Sequence, residues 1–198
     1  MGTWIFEPGH TEAEFHARHM MITWVRGFFK DIHGSIDFDV DRVEDTTFRG
    51  EIDARKLWTG EPDRDAHLRS SDFFDVENHP MILFSGRAVE RIGDTNAVAE
   101  VDLTIRGVTK RVPLEVSHLG QWETPFWVGD ENRGTMLRTG FEASTTINRH
   151  DFGVSWQDPL PGGGVVVSNL IKVTIDLEAI LLEDLERTGA IVHYRVAV

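Results

Sequence analysis

The chain has 198 residues, 40% of them hydrophobic, with 20 Lys plus Arg against 33 Asp plus Glu for a formal net charge of −13. That balance suits one folded domain and excludes intrinsic disorder, while the acid surplus repels a phosphate backbone, so no nucleic-acid partner is expected. There is no cysteine, which removes disulfides, thiolate nucleophiles and Cys-based zinc sites; with neither a basic-then-apolar leader nor about 18 consecutive apolar residues, a cytoplasmic protein without a transmembrane segment is expected.

Period-two alternation recurs in eight segments along the chain, each reading as a strand with one apolar face. The first presents Ala13, Phe15 and Ala17, with His19 continuing that face. The second presents Ile32, Ile36, Phe38 and Val40, and the third Phe48, Ile52 and Ala54. Next, EPDRDAHLRSSDFFD reads as one or two helical turns with Asp63 as N-cap and Leu68 as an inward anchor, placed to plug one end of a barrel. Asp65, His67, Arg69 and Asp72 there read as caps and ion pairs tying the helix to a rim.

The fourth strand shows Ile82, Phe84, Gly86 and Ala88. The fifth and sixth show Ala97, Ala99, Val101, Leu103 and Ile105, then Val112, Leu114 and Val116. The apolar parity flips between them because Gly107 turns the chain back on itself. Gly120 to Leu137, carrying Trp122, Phe126 and Trp127, reads as a long lid or packed loop. Phe141, Ala143, Thr145 and Ile147 form the seventh strand, DPLPGGGVVVS a flexible connection, and Ile171 to Leu181 the last strand.

One apolar and one polar face on every strand suits an antiparallel sheet, and closing that sheet removes its exposed edges. The expected fold is therefore all-β, an eight-stranded antiparallel barrel with a short helix at one end, spanning residues 1–182 and followed by a C-terminal extension, 183–198. Many inward positions are small: Ala13, Ala17, Gly34, Gly50, Ala54, Gly86, Ala88, Ala97, Ala99, Ala143 and Ala179. Either they face large residues in a filled core, with the barrel used only for association, or they leave a lumen for one oily ligand. On the second reading Phe15, Ala17, Phe38, Phe84, Phe141, Ala143, Ile147, Ile171 and Val173 line the guest's tail and His19 lies near its polar head. At about 0.8 kcal/mol per buried CH₂, burying ten carbons gains about 8 kcal/mol before entropy losses.

No Gly-x-Ser-x-Gly, Walker loop or His-Glu-x-x-His occurs. His16 and His19 lie three apart, on opposite faces of a strand, so no shared metal site is expected. His19 is the one titratable group on the inward parity, with no Asp or Glu to partner it in acid–base work. No catalytic residue, metal or cofactor is expected. The alternative is a cofactor-free cyclase or isomerase acting on an apolar substrate, with His19 or Asp65 as its acid or base.

Four motifs, FEPGHTEAEFHARHMMITWVRGFF, RDAHLRSSDFFDVENHP, LTIRGVTK and STTINRHDFGVSW, occur in this order over roughly Thr3 to Leu182. Together they resemble the YceI-like family of polyisoprenoid-binding proteins. The resemblance implies a lipocalin-like barrel with a helix, an elongated pocket for the prenyl chain of a quinone or polyprenyl phosphate, and frequent homodimers. The chain departs from that pattern in lacking a secretion signal, in the length of Gly120 to Leu137, in Ser168-Asn169 where relatives often have Gly-Asp, and in the C-terminal ERTGAIVHYRVAV.

Overall fold

The computed structural model describes residues 1–194, among which ten strands form one antiparallel sheet. They are β1 (Gly2–Phe6), β2 (Glu12–His19), β3 (Thr23–Phe29), β4 (Ile32–Phe38), β5 (Thr47–Asp53), β6 (Met81–Ile92), β7 (Asn96–Ile105), β8 (Val108–Val128), β9 (Glu131–Asn148) and β10 (Leu170–Leu181). Eight of them, β1-β4-β5-β6-β7-β8-β9-β10, close into a ring because β10 returns to β1. The barrel of eight is as expected, but its membership is not. β1 takes the place assigned to β2, and β2 with β3 forms a hairpin outside the ring.

β1 escapes the alternation rule because Trp4, Ile5 and Phe6 are all buried. Trp4 and Phe6 join the inner core, whereas Ile5 points outward into a second cluster with Met136, Ile180, Leu185 and Ala190. A strand covered on both faces carries no polar parity to read. β3 hides for a related reason, since Trp24, Val25, Phe28 and Phe29 place apolar side chains on both of its faces.

β10 is the strand on which the ring forks. Its last residues pair with β1 (Phe6↔Ala179 to Trp4↔Leu181), and its first half pairs with β2 (Lys172↔His16 to Asp176↔Glu12). At the fork the main chain of Glu178 is satisfied by the β1–β2 turn. The backbone N–H of Glu178 donates to Thr11 Oγ1 (3.3 Å), and its carbonyl accepts from Glu7 N (2.8 Å) and Thr11 Oγ1 (3.2 Å). Thr11 is accordingly almost wholly buried, as a hydroxyl replacing a ladder bond should be.

The β7–β8 turn forms at Arg106-Gly107, both with positive φ (52° and 73°), so Ile105 and Val108 pair directly. This is the geometry a two-residue hairpin turn requires. The stretch from Gly120 to Leu137 is neither lid nor loop. β8 and β9 continue through it as a long hairpin paired as far as Val128↔Glu131, with bulges at His118/Gly120 and Pro125/Trp127. Its aromatic residues sit on strands, where β-propensity favours them.

Helix α1 (Pro62–Arg69) begins two positions earlier than an N-cap at Asp63 would place it. Glu61 is the cap, its carboxylate accepting from Asp63 N (3.3 Å) and Arg64 N (2.6 Å), with Pro62 in the first turn. Leu68 does pack on the inner core. The polar patch ties the helix down: Arg69 donates to the carbonyls of Arg55 and Leu57 (2.7 and 2.6 Å), His67 pairs with Asp72 (2.8 Å), and buried Asp65 accepts from Thr59 N (2.9 Å). After Leu181 the chain forms α2 (Leu182–Thr188) on the barrel's outer wall. Leu185 is fully buried there, and Asp184 accepts from Leu137 N (2.7 Å).

Candidate functional site

The ring encloses a cavity of about 270 Å³. For scale, an engineered apolar cavity of about 150 Å³ stays dry and holds benzene. The wall comes from all ten strands, β3 contributing Phe29, with Leu68, Phe73 and Phe74 from the α1 region and Phe152 and Val154 from the turn after β9. Phe15, Ala17, Phe38, Phe84, Phe141, Ala143, Ile147, Ile171 and Val173 all line it; His19 does not. Its strand ends beside Val167 in an isolated bridge, so the parity that points Ala13, Phe15 and Ala17 inward has run past the lumen.

Two readings of the small residues were open, and the structure contains both. The glycines are covered by phenyl rings. A Cβ on Gly50 would lie 2.3 Å from Phe84 Cζ, one on Gly86 2.6 Å from Phe48 Cζ, one on Gly34 2.5 Å from Phe6 Cε2, and one on Gly27 2.3 Å from Phe15 Cζ. In three of these cases the ring belongs to the cross-strand partner: Gly50↔Phe84, Phe48↔Gly86 and Phe15↔Gly27. Each ring therefore lies flat over a bare piece of backbone. The alanines Ala13, Ala17, Ala88, Ala97, Ala99 and Ala143 face the cavity itself. Glycine lets the rings fold against the wall, and alanine leaves the centre empty.

Two basic side chains line the cavity in positions the alternation did not reveal. His118 stands on β8, where its backbone N–H donates to Thr95 O (2.7 Å), near the exposed residues Asp94, Thr95 and Asn96. Its ring packs between Phe38 and Phe141, at centroid distances of 4.9 and 5.1 Å, and Nε2 is hydrogen-bonded to Thr139 Oγ1 (3.0 Å). Burial holds the imidazole below its ordinary pKa, opposed in part by a hydrogen bond to the Gly120 backbone. Extending the Val112, Leu114, Val116 parity by one more step would have found it.

Arg149 occupies the other end, just after β9, roughly 26 Å along the chain from Phe141 by the rise per residue. It is buried, and its guanidinium donates to four main-chain carbonyls: Ser168 (3.0 Å), Val154 (2.8 Å), Trp156 (2.9 Å) and Val167 (3.3 Å). Burial pushes its pKa below the ordinary arginine value. No sequence signal announced it, because a guanidinium held by carbonyls needs no acidic partner in the chain.

Among the described residues, carboxylates reach the cavity only at Glu14, which is paired with His16 (2.8 Å) and Arg26 (3.7 Å), and at exposed Asp94. One group could offer three metal ligands, Glu7, His10 and Glu178, at the fork of β10. There His10 Nδ1 is 2.9 Å from Glu7 Oε2 and 3.6 Å from Glu178 Oε1, and Arg138 also pairs with Glu178. Both carboxylates are thus already engaged by side chains of the protein.

A family profile described as the YceI-like domain matches residues 4–179. The chain belongs to the YceI-like family. A UPF0312 protein of Pseudomonas putida is 32% identical over 148 residues, covering 75% of this chain and 73% of its own. The solved YCEI protein of Campylobacter jejuni has 27% identity and a TM-score of 0.67, covering 82% of this chain and 88% of that one. A polyisoprenoid-binding domain from Saccharophagus degradans, implicated in plant cell wall breakdown, shares the fold at 13% identity, with a TM-score of 0.59 over 91% of this chain and 99% of that one. Among the described residues of this YceI-like chain, no helix is long and apolar enough to cross a membrane.

Proposed function

We propose that the protein binds an isoprenoid or similar lipid, such as a prenyl quinone or polyprenyl phosphate, in the barrel and carries or sequesters it, acting in the cytoplasm. The carrying observation is a lumen walled mainly by aromatic, aliphatic and alanine side chains, with its two basic groups, His118 and Arg149, on β8 and just after β9. Such a wall favours an oily chain by burial alone. Phe15, Ala17, Phe38, Phe84, Phe141, Ala143, Ile147, Ile171 and Val173 serve the tail. At the head end the group on the wall is His118, not His19. The fold shared with a polyisoprenoid-binding domain fits this reading, as does the likeness to the YCEI protein. Residues 1–182 form the binding unit and α2 braces its outer wall; the reading holds for a monomer or a homodimer.

The cyclase or isomerase reading has less support. It needs His19 or Asp65 at the lumen, and neither lines it. The binding role is tested by mass spectrometry of organic extracts from purified protein, together with tryptophan quenching by added prenyl quinone. Co-purified lipid or saturable quenching is expected. A lipid-free protein with no quenching overturns the assignment.

A further inference from the structure

The tip of the β2–β3 hairpin is built against the usual turn chemistry. Ile22 N donates to His19 O (3.0 Å), making Met20 and Met21 the two central residues of the turn, and both have positive φ (49° and 61°). That turn favours Asn-Gly, and a long L side chain at either position is strained. Two methionines stand there instead, followed by Ile22. Relative exposures are 39%, 49% and 80%, three consecutive apolar side chains turned to solvent at the extremity of a hairpin outside the ring. Packing within the protein does not account for them. Strain kept together with exposed apolar surface points to a surface that meets something else.

The neighbourhood says what. Behind the tip, Trp24 lies under two cations, with Arg18 Cζ 4.2 Å and Lys172 Nζ 5.3 Å from the ring centroid. An apolar apex backed by a tryptophan and basic side chains is the composition of a bilayer interface, where indoles sit at headgroup level and cations meet anionic lipid. With a net charge of −13 the molecule as a whole is repelled by such a surface, so a local basic patch also decides which face approaches. The tip is continuous with the cavity too. Ala17 and Val167 line the lumen, and Met20 N donates to Val166 O (2.8 Å).

We propose that the β2–β3 turn docks the protein on a membrane containing anionic phospholipid, Met20, Met21 and Ile22 entering the leaflet while Arg18 and Lys172 contact headgroups. Met20, Met21 and Ile22 adjoin the lumen without lining it, and docking does not depend on what the lumen holds.

Flotation of the full chain with phosphatidylcholine/phosphatidylglycerol vesicles tests this. The double variant Met20→Asn, Met21→Gly installs the preferred turn residues, so it keeps or raises thermal stability. Wild type is expected to float, with a blue-shifted tryptophan emission, and the double variant to partition about tenfold less. Arg18→Gln with Lys172→Gln is expected to remove the preference for phosphatidylglycerol over pure phosphatidylcholine. The proposal is overturned if wild type stays with the lipid-free fraction, or if the folded double variant floats equally. It is likewise overturned if the double variant changes only the oligomer mass in light scattering, which would make the tip a contact between copies. Prenyl quinone quenching on the same variants is expected to be unchanged, so failure of the lipid-carrier reading and failure of membrane docking give different results.

Discussion

Each end of the cavity carries one basic side chain, and the two are held in opposite ways. Arg149 directs its donors at the main chain, gathering the carbonyls of Val154, Trp156, Val167 and Ser168 around one guanidinium. It fastens the turn after β9 to the segment that leads into β10. His118 makes a side-chain bond to Thr139 and is otherwise gripped by two phenyl rings. A cation satisfied by carbonyls is a structural clamp. A neutral imidazole at an apolar wall, beside the exposed Asp94–Asn96 stretch, can still exchange a hydrogen bond with a guest. One end of the lumen is locked, and the other is able to respond.

The strongest way to break this contrast is Arg149→Met. It leaves four inward-turned carbonyls without their donor, and loss of one partner from a buried charged network costs about 3–5 kcal/mol. Urea unfolding should show a loss of that size, and a change below about 1 kcal/mol would show that the clamp is dispensable. Next in size is Gly50→Ala on the wall between the two ends. Its new methyl meets Phe84 Cζ and the His33 carbonyl, so the ring must swing into the lumen at about 1–3 kcal/mol. Stability and prenyl quinone uptake should fall together; unchanged uptake would mean the rings do not set the free volume.

At the responsive end, His118→Phe should leave binding of a plain hydrocarbon chain unaltered. A guest with a carbonyl or hydroxyl head should bind about fivefold more weakly, the worth of one hydrogen bond. Equal losses for both guests would remove His118 from head recognition. The smallest effect is in pH. Because burial holds the folded-state pKa of His118 below the ordinary 6.5, the unfolded chain takes up the proton first. The stabilisation is thus complete above about pH 6.5 and is lost as pH falls through the folded-state value. Urea midpoints between about pH 7.5 and 5.5 should decline less steeply in His118→Gln than in wild type.

The ring was legible in the sequence wherever one face of a strand met solvent, as in β4, β5, β7 and β10. It was illegible where both faces were covered, because Ile5 lies beneath α2 and Thr3 is the one polar residue of β1, too little to show alternation. The hairpin from Gly120 to Leu137 was lost in its aromatic and charged composition, which gives up simple alternation at two bulges. Most of the cavity wall followed from parity, including every phenylalanine named for it. The polar ends did not follow. His118 lies one alternation step beyond the expected end of its strand, and Arg149 is defined by backbone carbonyls that composition cannot display. Parity alone could not divide the small residues between the two readings: the glycines are the seats of rings, and the vacancy belongs to the alanines.

The central claim is that the barrel keeps an apolar volume its own side chains do not fill. Native mass spectrometry of the purified chain with added geranylgeraniol tests it most directly. The account predicts a saturable adduct of one chain per barrel that Gly50→Ala diminishes. A folded wild-type protein with no adduct, or with several weakly held copies that Gly50→Ala does not affect, would contradict it.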